Sequence, residues 1–153
     1  MTTVLRRFGL WIAVGAFVLG GYLFRDFLSS SAQDLRVGDC FDIPAAATTA
    51  AYVEDVQHHP CTEPHDGEVV FLGRMSGADD AYPADDAFVA FADTHCVPAY
   101  RSYTGRDYEE DVTYDMPYLI PTSEGWAKGD RDVACYVVRA DRQPGTGSVK
   151  GAR

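Results

Sequence analysis

The chain has 153 residues, 46% apolar and 12% aromatic, with a formal net charge of −10. That length holds one ordinary domain or a small domain with an appendage, and the apolar content excludes a chain disordered throughout. The charge is unevenly placed: residues 1–32 carry +2, residues 33–141 carry −15 and residues 142–153 carry +3. So acidic a body excludes a nucleic-acid binder, which needs a basic face. It also argues against adsorption to anionic lipid or polymer without bridging cations.

Phe8 to Phe24 is a run of 17 uncharged residues, roughly 26 Å long as a helix and close to a hydrocarbon core in thickness. Phe27 and Leu28 extend it if Arg25 snorkels to the interface. The reading is a single transmembrane signal-anchor over 8–28. Arg6 and Arg7 hold a cytoplasmic tail of residues 1–7 inside, and Trp11 and Tyr22 lie near the two interfaces. A cleaved signal peptide is the rival, with Ser30-Ser31-Ala32 as small residues ahead of Gln33. Residues 29–34 then form a polar linker, 35–141 an extracytoplasmic domain, and 142–153, rich in Gly and basic groups, a flexible tail.

Along the domain, Val37–Phe41 reads as a turn entering a short strand, and Ala45–Ala51 as a loop. Tyr52–Val56 alternates like a strand. Glu68–Arg74 is a β-branched and aromatic run bounded by Gly67 and Gly73, a strand signal. Tyr82–His95 holds the best soluble helix, capped by Asp85 or Asp86. Ala84, Ala87, Phe88, Phe91, Ala92 and Cys96 fall near one face, and Pro98 is expected to limit its continuation. Val133–Arg139 is the second strong strand. An even number of cysteines in an exported domain reads as two disulfides. Cys40, Cys61, Cys96 and Cys135 allow three pairings. The preferred one joins neighbours, Cys40–Cys61 and Cys96–Cys135, so that the second bridge pins helix to sheet. A zinc site is the alternative, but no CxxC or HxxxH spacing supports it. The fold class is α+β: a small, mainly antiparallel sheet with one packed helix and two disulfides, preceded by the transmembrane helix.

Several motifs in this order resemble the septum-formation domain family of actinobacterial envelope proteins. They are Val37-Gly38-Asp39-Cys40-Phe41, Pro60-Cys61, Pro64-His65-Asp66 and Glu68-Val69, then Cys96 after a helix. Tyr118, Pro121, Trp126 and Gly129-Asp130-Arg131 before Cys135 complete the set. The resemblance covers roughly residues 35–139. It implies an exported module tethered by one transmembrane helix and linked to the division septum, and it supplies no reaction and no catalytic residues. The Ala/Thr-rich stretch at Ala45–Ala51 departs from the pattern.

The densest polar cluster, His58 to Glu68, holds three imidazoles, three carboxylates and a thiol. A metal or acid–base centre is the sharp reading. Pro60 and Pro64 argue against a helix there, and adjacent His58 and His59 point oppositely on an extended chain. The favoured reading is structural: His65 orders a disulfide-anchored turn, with Asp66 and Glu68 leading into the strand. The acidic runs Asp79-Asp80, Asp85-Asp86 and Glu109-Glu110-Asp111 read as solvated faces. Tyr118 and Trp126 read as core. Tyr103, Tyr108 and Tyr114 read equally as packed rings and as candidates for binding protein or glycan through apolar stacking with a hydrogen-bonding tip. Asp130 caps a turn before the last strand, and Arg131 is expected to pair with an acid. No metal and no cofactor is expected.

The expected function is a non-enzymatic binding or scaffolding module on the outer face of the cell membrane, in septum formation or wall assembly. Its partners would be envelope or division proteins or a neutral glycan. The alternative is a metal-dependent or cysteine-based envelope enzyme centred on His65, Glu68 and His95, which requires those three to converge in one cleft.

Overall fold

The computed structural model describes residues 29–31, 34–43, 55–76 and 81–151. The tail 1–7, the anchor over 8–28, the Ala45–Ala51 loop, the Tyr52–Glu54 half of one expected strand and Asp79-Asp80 lie outside them. Among the described residues no helix is long and apolar enough to cross a membrane.

Among the described residues seven strands form one sheet in which each pairing is antiparallel. They are β1 (Ser29–Ser31), β2 (Cys40–Asp42), β3 (Asp55–His59), β4 (Gly67–Arg74), β5 (Tyr114–Asp115), β6 (Tyr118–Leu119) and β7 (Asp132–Arg139). The order is β1-β3-β2-β4-β7-β5, with β6 also paired to β7. Ser29–Ser31, expected as linker, pairs as a strand with Asp55–Gln57. The longest ladder joins β4 to β7, from Gly67↔Val138 to Arg74↔Asp132. These are the two longest strands, eight residues each, and they find each other across the sheet centre.

The β7 residues Val133–Val138 are all buried, because both faces of the sheet are covered. Val133, Cys135 and Val137 point to a cluster with Ala92, Cys96 and Tyr100 from the helix. Ala134, Tyr136 and Val138 point the other way, to Phe41, Val56, Val69 and Leu35. This is the period-2 alternation of a strand expressed on two cores. A bulge between Val69 and Phe71 breaks the β4 register, so that Val70 and Phe71 both reach the helix-side core.

The helical run differs from expectation in three ways. It starts at Asp85 with Ala84 as N-cap and no side-chain cap. Asp85 and Asp86 sit instead in the first turn, where their charge favours the positive helix end. It also passes Pro98: α1 (Asp85–Phe91), a π-helical turn (Ala92–Cys96) and α2 (Val97–Thr104) follow without interruption. The π turn explains the passage. The Val97 N–H reaches back five residues to the Ala92 carbonyl, and the wider turn lets Pro98 enter as if at a fresh helix start, where its missing N–H is harmless. Gly105, at φ 77°, ends the run in the left-handed conformation, its N–H on the Arg101 carbonyl. Third, Ala84 is exposed rather than on the buried face. A short third helix, α3 (Ser123–Ala127), is capped by Thr122, whose hydroxyl accepts from the Gly125 N–H at 2.9 Å.

The disulfides are Cys40–Cys61 and Cys96–Cys135. The second joins the π turn to β7 through the helix-side core, and both its cysteines are fully buried.

Candidate functional site

The C-terminal segment, expected as a flexible tail beyond 141, is docked on the domain. β7 ends in a turn that includes Arg142 at φ 58°, and the chain then doubles back. Gly145 and His65 exchange both backbone hydrogen bonds, each at 2.9 Å. The Gly147 N–H donates to the Cys61 carbonyl and the Gly151 N–H to the Tyr103 carbonyl. Val149, the one large apolar residue of the segment, is buried in the helix-side core. That side chain, the backbone hydrogen bonds and the polar contacts of Arg142 with Asp115 and of Ser148 with Glu68 give the segment its hold.

At the centre of this docking lies Glu68, 1% exposed. Its Oε1 accepts from the Tyr103 hydroxyl at 2.6 Å and the Ser148 hydroxyl at 2.6 Å, and its Oε2 accepts from the Val149 N–H at 2.7 Å. The carboxylate therefore joins β4, α2 and the C-terminal segment. Burial alone would make a carboxylate there costly, and three charge-assisted hydrogen bonds offset that cost. Val149→Asp should detach the segment by placing a second carboxylate in an apolar pocket beside Glu68. Amide exchange at 145–151 should then rise sharply while the β4–β7 ladder stays protected, as hydrogen-exchange mass spectrometry would read.

His65 is buried, and its Nδ1 lies 2.9 Å from the Glu63 carbonyl. Asp66 accepts from the Ile43 N–H at 2.9 Å, tying the exit of β2 to the entry of β4. His58 and His59 face different acids, as alternation on β3 requires. The buried His58 lies 3.7 Å from Asp39, and His59 lies 2.9 Å from Asp42. Of the trio His65, Glu68 and His95, the fold brings only the first two together. Both line a cleft of about 290 Å³ between the docked segment and the sheet, with Tyr114, Val138, Arg139 and Pro144. His95 is exposed on the π turn and packs against Phe71 and Phe91, outside that lining.

The three candidate tyrosines are half-buried, and each is engaged within the fold. Tyr103 bonds Glu68, Tyr108 meets Tyr100 edge-on at 5.3 Å, and Tyr114 lies under Arg106 while lining the cleft. Asp111, expected on a solvated face, is an anchor instead: it accepts from Tyr100 at 2.7 Å and from Arg106 at 3.1 Å. Burial pushes its carboxyl up, but these bonds and the Thr113 N–H outweigh burial and hold it below the usual carboxylate range. Burial, then the Asp111 bond, pushes the Tyr100 hydroxyl up; burial, then the Glu68 bond, does the same to Tyr103. Both tyrosines thus keep their protons longer in the folded chain than in the unfolded one. The unfolded chain releases them near pH 10, so stability is intact below that value and falls as pH rises beyond it. Thermal melts between pH 8 and 11 should show this fall, and Tyr103→Phe should make it shallower.

Trp126 is buried on α3, with the Arg131 guanidinium 3.8 Å from its ring centroid. Arg131 also donates to the Trp126 and Asp130 carbonyls, at 2.6 and 2.8 Å. Its guanidinium thus closes the turn by stacking and by backbone contacts. Asp130 accepts from the Asp132 N–H at 3.0 Å, the expected turn-capping role.

Among the described residues one metal-type trio gathers: the sulfurs of Cys40 and Cys61 and a Glu68 oxygen lie within 4.8 Å of one another. The sulfurs are bonded to each other, which withdraws them as ligands in the oxidised chain. The signal that sequence reading missed here is Ser148-Val149, lost in a Gly-rich stretch whose composition resembles a linker.

No curated protein and no solved structure matches the chain. A family model described as Septum formation matches residues 37–152, about three quarters of the chain. The match runs past Asp141 and takes in the docked segment, as the packing of Val149 and Glu68 would require of one structural unit. The chain belongs to the septum-formation family.

Proposed function

We propose that this protein is a membrane-tethered, extracytoplasmic binding or scaffolding module of an actinobacterial-type cell envelope, acting without catalysis in septum formation or wall assembly. The family match over 37–152 carries this reading. The uncharged run after Arg6-Arg7 supports the tether, and the two disulfides support an oxidising compartment. His95 lies away from the cleft that His65 and Glu68 line, which suits a scaffold better than a three-residue catalytic centre. The strongly acidic domain favours a protein or a neutral glycan as partner over an anionic polymer. A fluorescent fusion imaged through division, combined with crosslinked pull-down from envelope fractions, tests the reading. Enrichment at the septum with a reproducible division partner is expected. Uniform or cytoplasmic fluorescence with no specific partner would overturn it.

A further inference from the structure

The two disulfides differ in a way that the scaffold role does not use. Cys96 and Cys135 are both fully buried between helix and sheet. Of the other pair, Cys40 is buried, but Cys61 is only half-buried, at the start of the turn that follows β3. A Glu68 oxygen lies within 4.8 Å of both its sulfurs. An ionised carboxyl offers about four acceptor sites. Two on Oε1 and one on Oε2 are taken by Tyr103, Ser148 and Val149, which leaves one on Oε2. A buried carboxylate with spare acceptor capacity beside a half-exposed disulfide is suited to moving a proton to and from sulfur.

We propose that Cys40–Cys61 is an exchangeable disulfide, attacked at Cys61 by the thiolate of a protein dithiol, with Glu68 as the proton relay of Cys40. The attacking sulfur bonds to Cys61 Sγ, the S–S bond breaks, and its electron pair leaves on Cys40 Sγ. Cys40 takes a proton that Glu68 passes from solvent. The partner's second thiol gives up its proton and displaces Cys61 from the mixed disulfide, and Cys61 is protonated from water. In sum the bridge gains two electrons and two protons, and the partner dithiol loses them to become a disulfide. Opening the bridge also loosens the C-terminal segment, because the Gly147 N–H is held by the Cys61 carbonyl and the Val149 N–H by Glu68. The exchange site is therefore coupled to the docking of residues 145–151.

The full chain is equilibrated in graded reduced and oxidised dithiothreitol, quenched with an alkylating reagent and mapped by mass spectrometry. Cys40 and Cys61 should be alkylated at a reducing poise that leaves Cys96–Cys135 intact, and amide exchange at 145–151 should rise with them. Single variants test the direction of attack. In folded Cys40→Ser, Cys61 should readily form a mixed disulfide with glutathione disulfide, releasing one glutathione thiol, whereas in folded Cys61→Ser, Cys40 should react at least 10-fold more slowly. Glu68→Gln should slow closure of the reduced bridge by roughly 10²-fold, with Glu68→Asp recovering part of the rate. If Glu68→Gln does not fold, the order in which the two wild-type bridges open still decides. Reduction of both bridges together, resistance of Cys40–Cys61 beyond that of Cys96–Cys135, or equal reactivity of the two single thiols would overturn the proposal.

Discussion

Glu68→Ala is expected to lower the unfolding free energy by roughly 3–5 kcal/mol. The substitution leaves the Tyr103 hydroxyl and the Val149 N–H without the acceptor they now share, and both lie inside the fold. Ser148 is exposed, so its hydroxyl can turn to water and adds little. Glu68→Gln should cost less, about 1–2 kcal/mol. The amide oxygen can face the Val149 N–H, while its NH₂ faces two hydroxyl oxygens that are free to rotate and accept. Guanidinium unfolding of both variants would measure the difference. A cost for Glu68→Ala no larger than that of an ordinary surface substitution would mean that the carboxylate does not organise this junction.

Removing the core bridge should have an effect of similar size by a different route. Cys96 and Cys135 are 39 residues apart, and the chain-entropy model gives about 4 kcal/mol for a loop of that length. The double substitution Cys96→Ala/Cys135→Ala also leaves unfilled volume where the π turn meets β7, so the measured loss should exceed the entropic figure. The corresponding loss for Cys40–Cys61, separated by 21 residues, is about 3 kcal/mol, and Cys61 lies where the chain can relax toward solvent. Non-reducing chemical denaturation of the two double variants should therefore rank Cys96–Cys135 as the costlier. The opposite ranking would mean that the junction of Cys61, Glu68 and the C-terminal segment stabilises the domain more than the helix–sheet staple does.

The outcome at the helix shows where local reasoning reached its limit. The apolar face from Phe88 to Cys96 was legible, since a 3.6-residue period is local information. The passage through Pro98 was not, because it depends on a π turn. Such a turn is stable here because it carries Cys96 to Cys135, a contact 39 residues distant. The tyrosines illustrate the same limit. Ring frequency between residues 100 and 126 suggested a binding surface, but whether a phenol faces solvent or a buried carboxylate depends on which acid the fold places opposite it. Glu68 is 35 residues from Tyr103, and no pattern of spacing announces that pair.

By itself the sequence determined the two long strands, the main helix, the turn at Asp130, the burial of Trp126 and the family. Each rests on a local signal: β-branched runs bounded by glycine, amphipathic spacing, motif order. It left three cysteine pairings open, and the fold chose the one between neighbours. The tertiary structure alone decided that residues 142–151 belong to the domain. Their Gly-rich composition offers little apolar area and reads as linker. Only a preformed pocket for Val149 and a buried carboxylate aimed at its N–H make docking favourable; the pocket gathers residues spread from Val70 to Val137, and the carboxylate stands 81 positions upstream. Long-range complementarity of this kind leaves no periodic trace in the chain, because the segment contributes one buried apolar side chain, the Ser148 hydroxyl and a few backbone donors, and the rest of the domain contributes everything they meet.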